Sequence, residues 1–114
     1  MKESDIQQDI MGMLLTHPKV AWAMVITTGQ FKVKGGYITV GHYMSDEQKR
    51  KTGMSDILGM LKNGKTLAIE TKKPGEEPTK EQYDFMWLVN KNGGLAFWAD
   101  SVEKAMYGLN DLET

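Results

Sequence analysis

The sequence contains no cysteine. Disulfide bonds and thiolate metal centres are therefore excluded, and an intracellular setting is expected. The sequence also lacks any apolar run near the ~20 residues that span a bilayer. The opening segment MKESDIQQDI turns polar where the apolar region of a signal peptide should begin. We therefore predict a cytoplasmic protein without a membrane partner.

An excess of charge of one sign is also missing. The 14 basic and 15 acidic residues leave a net charge of −1, so a nucleic-acid partner would have to be met by a local patch. Only two histidines are present, and a histidine-based metal site would need more ligands at matching spacing. We assign no role to His17 or His42. The length predicts a single domain, residues 1–114.

Three helices are predicted from their boundary signals. Ser4 and Gln7 fit a capping box ahead of an apolar stripe at helical spacing, and the segment THP ends that helix. Thr79 and Gln82 form a second capping box, and the helix that follows ends at a Gly-Gly pair. Ser101 begins the third helix.

Strands are predicted between these helices. VAWAMVITTG (20–29) is rich in β-branched residues, QFKVKGGYITV reads as a hairpin, and the polar stretch 41–53 reads as a loop. Asn63-Gly64 is a strong hairpin signal that pairs 55–61 with 66–73 as antiparallel strands. LAFWA is a further buried strand. The fold class is therefore α/β or α+β, with a mixed sheet flanked by helices.

The charged residues Glu70 and Lys72 interrupt an apolar strand and point to the same face. Counting from the Asn63-Gly64 turn places Asp56 almost opposite Glu70. Two carboxylates so close need a counter-charge, and a hard divalent cation such as Mg²⁺ or Mn²⁺ would supply it. Lys72 could orient a water or stabilise charge on a phosphate. The alternative is a solvated Glu-Lys pair on an exposed strand.

The ordered motifs GMSDILGML, KTLAIETKK and EQYDFMWLVNKNGG resemble the PD-(D/E)xK nuclease superfamily, and within it the virus-type replication-repair nuclease (VRR-NUC) family. The resemblance covers nearly the whole chain apart from the hairpin and loop of 31–52. Ser55 departs from the pattern, because the superfamily often has proline there. The matching positions are Glu3, Gly53-Met54-Ser55-Asp56, Glu70-Thr71-Lys72, Gln82, Gly93-Gly94 and Ser101.

This resemblance implies a restriction-endonuclease-like core and a metal-dependent nuclease. Asp56 and Glu70 would bind Mg²⁺ or Mn²⁺ with the main-chain carbonyl of Thr71, and Lys72 would position the attacking water. Glu3, on the first helix, would assist the metal. The alternative for Glu3 is that Ser4 caps the helix and leaves Glu3 outside it, where it complements the helix dipole.

Gln82 has two interpretations. The resemblance places it in the catalytic site, whereas the capping box places it at the start of its helix.

DNA contacts are predicted on basic residues near the site. The loop bordering Gly53 and the preceding hairpin could form a phosphate-contacting surface, and the alternative is a solvated charge run. No base-reading motif is visible, so recognition by DNA shape is expected. The residues assigned to this surface are Lys32, Lys34, Lys49, Arg50, Lys51 and Lys73.

Aromatic and aliphatic residues are assigned either to the core or to an interface. Trp22, Trp87, Phe97 and Trp98 are expected in the core, whereas Tyr37, Ile38 and Val40 on the hairpin are expected to cover a partner subunit.

Stand-alone members of the family resemble junction resolvases, which implies a homodimer acting on Holliday junctions, in the host cytoplasm if the protein is virus-encoded. The alternatives are a flap or nicking nuclease without junction preference, or a non-catalytic module that binds nucleic acid or protein.

Overall fold

The computed structural model describes residues 2–27, 29–41, 43–45 and 50–110. The fold is α+β, with a four-stranded mixed sheet flanked by helices, and it is compatible with a restriction-endonuclease-like core. The elements in chain order are α1 (Glu3–Thr16), β1 (Val20–Val25), β2 (Gly29–Val33), β3 (Gly36–Val40), β4 (Tyr43–Met44), β5 (Arg50–Lys51), β6 (Ile57–Leu61), β7 (Thr66–Thr71), α2 (Lys80–Lys91), β8 (Leu95–Ala99) and α3 (Val102–Asn110).

The main sheet has the strand order β1-β6-β7-β8. β6 pairs antiparallel with β1 and with β7, while β8 runs parallel to β7. The parallel pair needs a crossover, and α2 provides it. Strands β2 and β3 form a separate two-stranded sheet, as do β4 and β5. The predicted mixed sheet with flanking helices is therefore confirmed.

The first helix begins earlier than its sequence signal predicts. Lys2, rather than Ser4, is the N-cap, and the Lys2 backbone N–H donates to the Asp5 carboxylate at 3.1 Å. The prediction of Ser4 as cap is wrong because Asp5 provides this bond three residues after Lys2. Glu3 consequently lies inside the first turn, not outside the helix.

Two apolar clusters cover the two faces of the sheet. On one face, α1 and α3 contribute Ile6, Ile10, Leu14 and Leu109 to a core that includes Ile69. On the other face, α2 packs its own smaller cluster against the sheet, formed by Ala68, Phe85, Met86 and Ala96. Successive residues of β7 therefore meet different helices, as strand alternation requires.

The Asn63-Gly64 hairpin is confirmed, with slightly shorter strands than predicted. The Leu61 N–H donates to the Lys65 carbonyl at 2.9 Å across the turn. Gly64 has a φ of 90°, in the left-handed region that favours glycine. The paired strands are β6 and β7, which begin and end inside the predicted ranges 55–61 and 66–73.

Three other local predictions need correction. The first predicted strand ends at Val25 and not at Gly29, which already belongs to β2. The predicted loop 41–53 contains the short strand pair β4–β5. Trp22 and Trp87 are 48% and 61% exposed and so lie outside the core, because no element of the described chain covers them. Phe97 and Trp98 are half-buried and pack against the two clusters.

None of the described helices is long and apolar enough to cross a membrane.

Candidate metal and catalytic site

The site forms at the end of the β6–β7 hairpin, where the paired strands stop. Ile57 is opposite Ile69 in the antiparallel register. One further step of the same register places Asp56 opposite Glu70. Counting residues from the Asn63-Gly64 turn therefore predicted the pairing of Asp56 with Glu70 correctly, because this turn sets the register of the whole hairpin.

The Asp56 carboxylate is anchored by Thr71. The Thr71 backbone N–H donates to Asp56 Oδ2 at 3.1 Å, and the Thr71 hydroxyl donates to the same oxygen at 2.6 Å. The Asp56 carbonyl in turn accepts from the Ile26 N–H at 2.7 Å. Both ends of Asp56 are therefore fixed. The resemblance implies a role only for the Thr71 carbonyl, and no sequence signal predicts this role of the hydroxyl.

Glu70 has the opposite environment. Its side chain is 1% exposed, and its Oε1 has no hydrogen-bond partner in the described part of the chain. Its Oε2 lies 3.6 Å from Lys72 Nζ. A buried carboxylate oxygen without a partner is costly, and a catalytic role or a bound ion is among the explanations for it.

Burial and the nearby Asp56 carboxylate raise the pKa of Glu70 from 4.5 to about 8, while Lys72 opposes the shift and Glu3 adds to it. Without a cation Glu70 is therefore largely protonated at neutral pH. A divalent ion beside it would favour the ionised form.

Lys72 extends the charged face just beyond β7. Its N–H donates to the Ala99 carbonyl of β8 at 3.0 Å, which holds the chain in place past the strand end. Its side chain is 13% exposed. The ammonium therefore sits at the boundary between the buried carboxylate and solvent, where a water or phosphate oxygen can reach it.

Glu3 approaches the site from the first turn of α1. Partial burial and then the charge of Asp56 raise the pKa of Glu3, and Lys72 opposes the shift. Glu3 also lines a pocket of about 520 Å³ with Lys2, Asp5, Lys73 and Glu76. Glu3 therefore lies close enough to Asp56 and Lys72 for their charges to act on it, and its role in holding a metal stays a prediction.

Gln82 forms the predicted capping box. Its Oε1 accepts from the Thr79 N–H at 2.9 Å, and its own N–H donates to Thr79 Oγ1 at 3.2 Å. Among the described residues, no hydrogen bond joins Gln82 to Glu70 or Lys72. A catalytic role for Gln82 stays a prediction.

The loop leading to Asp56 is held against the start of α2. Gly53 has a φ of 100°, and a Cβ there would lie 2.4 Å from the Glu81 carbonyl oxygen. Only glycine fits both the backbone conformation and the close approach. Ser55 is fully buried, and its Oγ has no partner in the described chain. The GMSD motif therefore acts through backbone packing that delivers Asp56 to the sheet.

The oxygen donors fit a hard divalent cation. Within the described residues, no three His, Asp or Glu side chains lie close enough together to hold a metal ion by themselves. This arrangement is compatible with Mg²⁺, which is usually bound by one or two carboxylates together with waters and substrate phosphates. Asp56 and Glu70 would be the two carboxylates, and the unpaired Glu70 Oε1 is the atom that a cation would satisfy.

The residues assigned to DNA contact are spread over several places. Lys73 lines the pocket with Glu3 and forms a 3.8 Å ion pair with Glu76. Lys32 and Lys34 lie on the exposed β2–β3 hairpin, and Lys51 lies on β5 beside α2. Two assignments fall outside what the structure describes: residue Lys49 and the side chain of Arg50.

Of the two histidines, the structure describes His17, which lies at the end of α1. His17 is the C-cap of α1, with its Nε2 3.3 Å from Asn110 Oδ1, and His42 lies outside the described residues.

Comparison with known proteins gives no match: no protein-family model, curated protein or solved structure matches this chain. The proposed function therefore rests on the geometry of the site.

Proposed function

We propose that the chain is a Mg²⁺- or Mn²⁺-dependent deoxyribonuclease of the VRR-NUC type that hydrolyses phosphodiester bonds. The observation that carries the proposal is the Glu70 carboxyl group, which is buried, has an unpaired oxygen, and neighbours both Asp56 and Lys72. A structural role alone does not explain this cluster, because a buried carboxyl oxygen without a hydrogen-bond partner, such as Glu70 Oε1, is destabilising.

Each residue of the site has its own role in hydrolysis. Asp56, oriented by Thr71, and Glu70 would hold the cation, with the Thr71 carbonyl as a third oxygen donor. Lys72 Nζ orients the attacking water, whose oxygen bonds to phosphorus while the bond to the leaving 3′ oxygen breaks. The water releases a proton to solvent and the leaving 3′ oxygen takes one from solvent, which gives a 5′ phosphate and a 3′ hydroxyl. The bound cation supplies charge stabilisation for the leaving oxygen. Glu3 would assist from α1 through a bridging water.

Branched DNA, including Holliday junctions, is the proposed substrate, and a homodimer is the proposed active form. Phe31, Tyr37 and Ile38 expose apolar surface on the β2–β3 hairpin. A second subunit on this hairpin would cover that surface and present two sites to two strands.

Cleavage of a four-way junction, a flap and a linear duplex tests the function with Mg²⁺, Mn²⁺ or EDTA present. We expect metal-dependent cleavage that favours the branched substrates and falls at least about a hundredfold in Lys72→Ala. Lys62→Ala is the matched control, because Lys62 is exposed at the opposite end of the hairpin.

Other results would indicate a different mechanism or a different class of protein. Full activity in Lys72→Ala or in EDTA would contradict the mechanism. Equal cleavage of all three substrates would contradict the preference for branched DNA, and equal cleavage of the flap and the junction alone would indicate a nuclease without junction preference. Binding of DNA without any cleavage would indicate a non-catalytic module.

A further inference from the structure

A second pocket lies beside the outer face of α2 and shares no lining residue with the pocket at Glu3. Its volume of about 350 Å³ is within the range of small-ligand sites. It combines two aromatic residues with several polar groups, and its lining includes Tyr43, Ser45, Lys51, Asp84, Trp87 and Lys91.

Trp87 is the unusual member of this lining. Its side chain is 61% exposed, and the ammonium of Lys91 lies 4.8 Å from the centre of its ring. Helical spacing alone would place these two residues side by side. The pocket adds a second wall from a different part of the chain, because Tyr43 packs edge-on against Phe85 at 5.0 Å between ring centres and brings Ser45 with it.

The polar groups of the pocket suit a phosphate and a heterocycle. Lys51 and Lys91 carry positive charge, while the Asp84 carboxylate lies 2.9 Å from Lys80 Nζ, which offsets its charge. The Ser45 Oγ is shielded from solvent and has no hydrogen-bond partner in the described residues. A ligand with hydrogen-bonding groups could satisfy it.

The pocket continues toward the proposed active site. A smaller pocket of about 240 Å³ shares Tyr43, Lys51 and Asp84 and extends to Thr52 and Glu81. The Glu81 carbonyl is the group against which Gly53 packs, at the start of the loop that carries Asp56. One groove therefore leads from Trp87 along the N-terminal half of α2 to this loop.

We propose that the Trp87 pocket holds one unpaired nucleotide of the DNA substrate, with its base stacked on the indole and its phosphate beside Lys51 and Lys91. The choice of DNA as the ligand rests on the proposed nuclease function. A paired base is already stacked in its duplex, whereas an unpaired base offers a free face to an aromatic side chain. Among branched substrates, one that carries a single-stranded segment near the cut, such as a flap, should therefore bind more tightly than a fully paired four-way junction.

Binding is tested first without catalysis. The probe is a fluorescein-labelled oligothymidylate of about 15 nucleotides, and its anisotropy is measured in EDTA with the full chain. Trp87→Ala should weaken binding about 5- to 100-fold, whereas Trp87→Phe should keep most of it. Trp22→Ala is the matched control, since Trp22 is also exposed and lies on β1. Melting temperatures identify any variant that fails to fold.

Salt dependence tests the phosphate contact. Lys91→Ala should lower the slope of log affinity against log salt concentration by about one, and an unchanged slope would contradict a phosphate contact at Lys91.

The proposal is overturned if Trp87→Ala binds as tightly as Trp22→Ala, if duplex DNA competes as well as unpaired DNA, or if the wild-type chain does not bind the probe. The last result would indicate that the pocket binds a protein or another partner. Failure of the nuclease function looks different: the wild-type chain would bind the probe through Trp87 and cleave no substrate with Mg²⁺.

Discussion

The β6–β7 hairpin lies in the middle of the main sheet with helices on both faces, whereas the β2–β3 hairpin forms a two-stranded sheet of its own. In the first, the apolar residues Ile57 and Ile69 are fully buried. In the second, Tyr37 is 65% exposed. Both carry the turn signals of a hairpin, so the local pattern specifies pairing without specifying what covers the pair. The buried hairpin can hold a charge away from water, and the exposed one can only offer surface.

The largest expected effect comes from removing the buried charge. Glu70→Gln keeps the shape of the side chain and should lower metal-dependent cleavage at least about a hundredfold, the loss typical of a group needed for the chemical step. In EDTA above pH 8 the same variant should melt at a higher temperature, because it no longer buries an ionised carboxylate. Cleavage rates and thermal unfolding measure the two effects.

Glu103→Gln is the control for that change, since Glu103 is exposed on α3. It should alter neither property. Wild-type cleavage by Glu70→Gln would remove Glu70 from the mechanism.

The pH dependence of the free energy of unfolding should depend on the β6–β7 hairpin and not on the β2–β3 hairpin. Because the pKa of Glu70 is raised from 4.5 to about 8, the folded, metal-free chain retains a proton that the unfolded chain releases. This stabilisation is fully present below pH 4.5 and is lost as pH rises through about 8. Urea unfolding in EDTA across this range should show a falling free energy of unfolding.

The fall should become shallower in Glu70→Gln, with the raised pKa of Glu3 contributing a smaller effect of the same sign. Substitution of Tyr37 on the exposed hairpin should leave the slope unchanged. An identical slope in Glu70→Gln and wild type would show that Glu70 titrates as an exposed acid.

Thr71→Val tests the anchoring of Asp56. It removes the 2.6 Å hydrogen bond from Oγ1 and keeps the bond from the backbone N–H. We expect a loss of about 1.5–3 kcal/mol in the free energy of unfolding. Metal affinity, measured by Mn²⁺ titration, should fall about 10- to 100-fold.

Thr71→Ser restores the hydroxyl and should recover most of the metal affinity. Equal Mn²⁺ affinity in Thr71→Val and wild type would mean that the hydroxyl does not position Asp56.

The smallest effect on fold stability is expected on the β2–β3 hairpin. Tyr37→Ser with Ile38→Ser removes exposed apolar surface and should change the free energy of unfolding of a monomer by less than about 0.5 kcal/mol. It should nevertheless shift the mass measured by light scattering from dimer toward monomer. An unchanged dimer would move the interface elsewhere, and a monomeric wild type would contradict the proposed homodimer.

Sequence reasoning succeeded where one local signal fixes a geometry. The Asn63-Gly64 turn sets the β6–β7 register, and that register places Asp56 opposite Glu70. The Thr79–Gln82 capping box begins α2 as expected. Two local signals compete at the start of α1, where Asp5 bonds the Lys2 N–H and displaces the predicted cap at Ser4.

Sequence reasoning failed where the answer depends on distant packing. Helical spacing places Trp87 on a face of α2, but only the complete fold shows that no described element covers it. The Thr71 hydroxyl bonds Asp56 because Asp56 lies just before the first residue of β6, where strand alternation no longer decides where its carboxylate points. Strands β4 and β5 have two residues each, which is too short for a periodic signal.

The central claim is that Asp56 and Glu70 form a divalent-cation site, and calorimetric titration with Mn²⁺ tests it most directly. We expect the wild-type chain to bind Mn²⁺, Asp56→Asn and Glu70→Gln each to lose that binding, and Asp9→Asn, on the exposed side of α1, to keep it. Absence of Mn²⁺ binding in the wild type, or equal binding in all four proteins, would contradict the account.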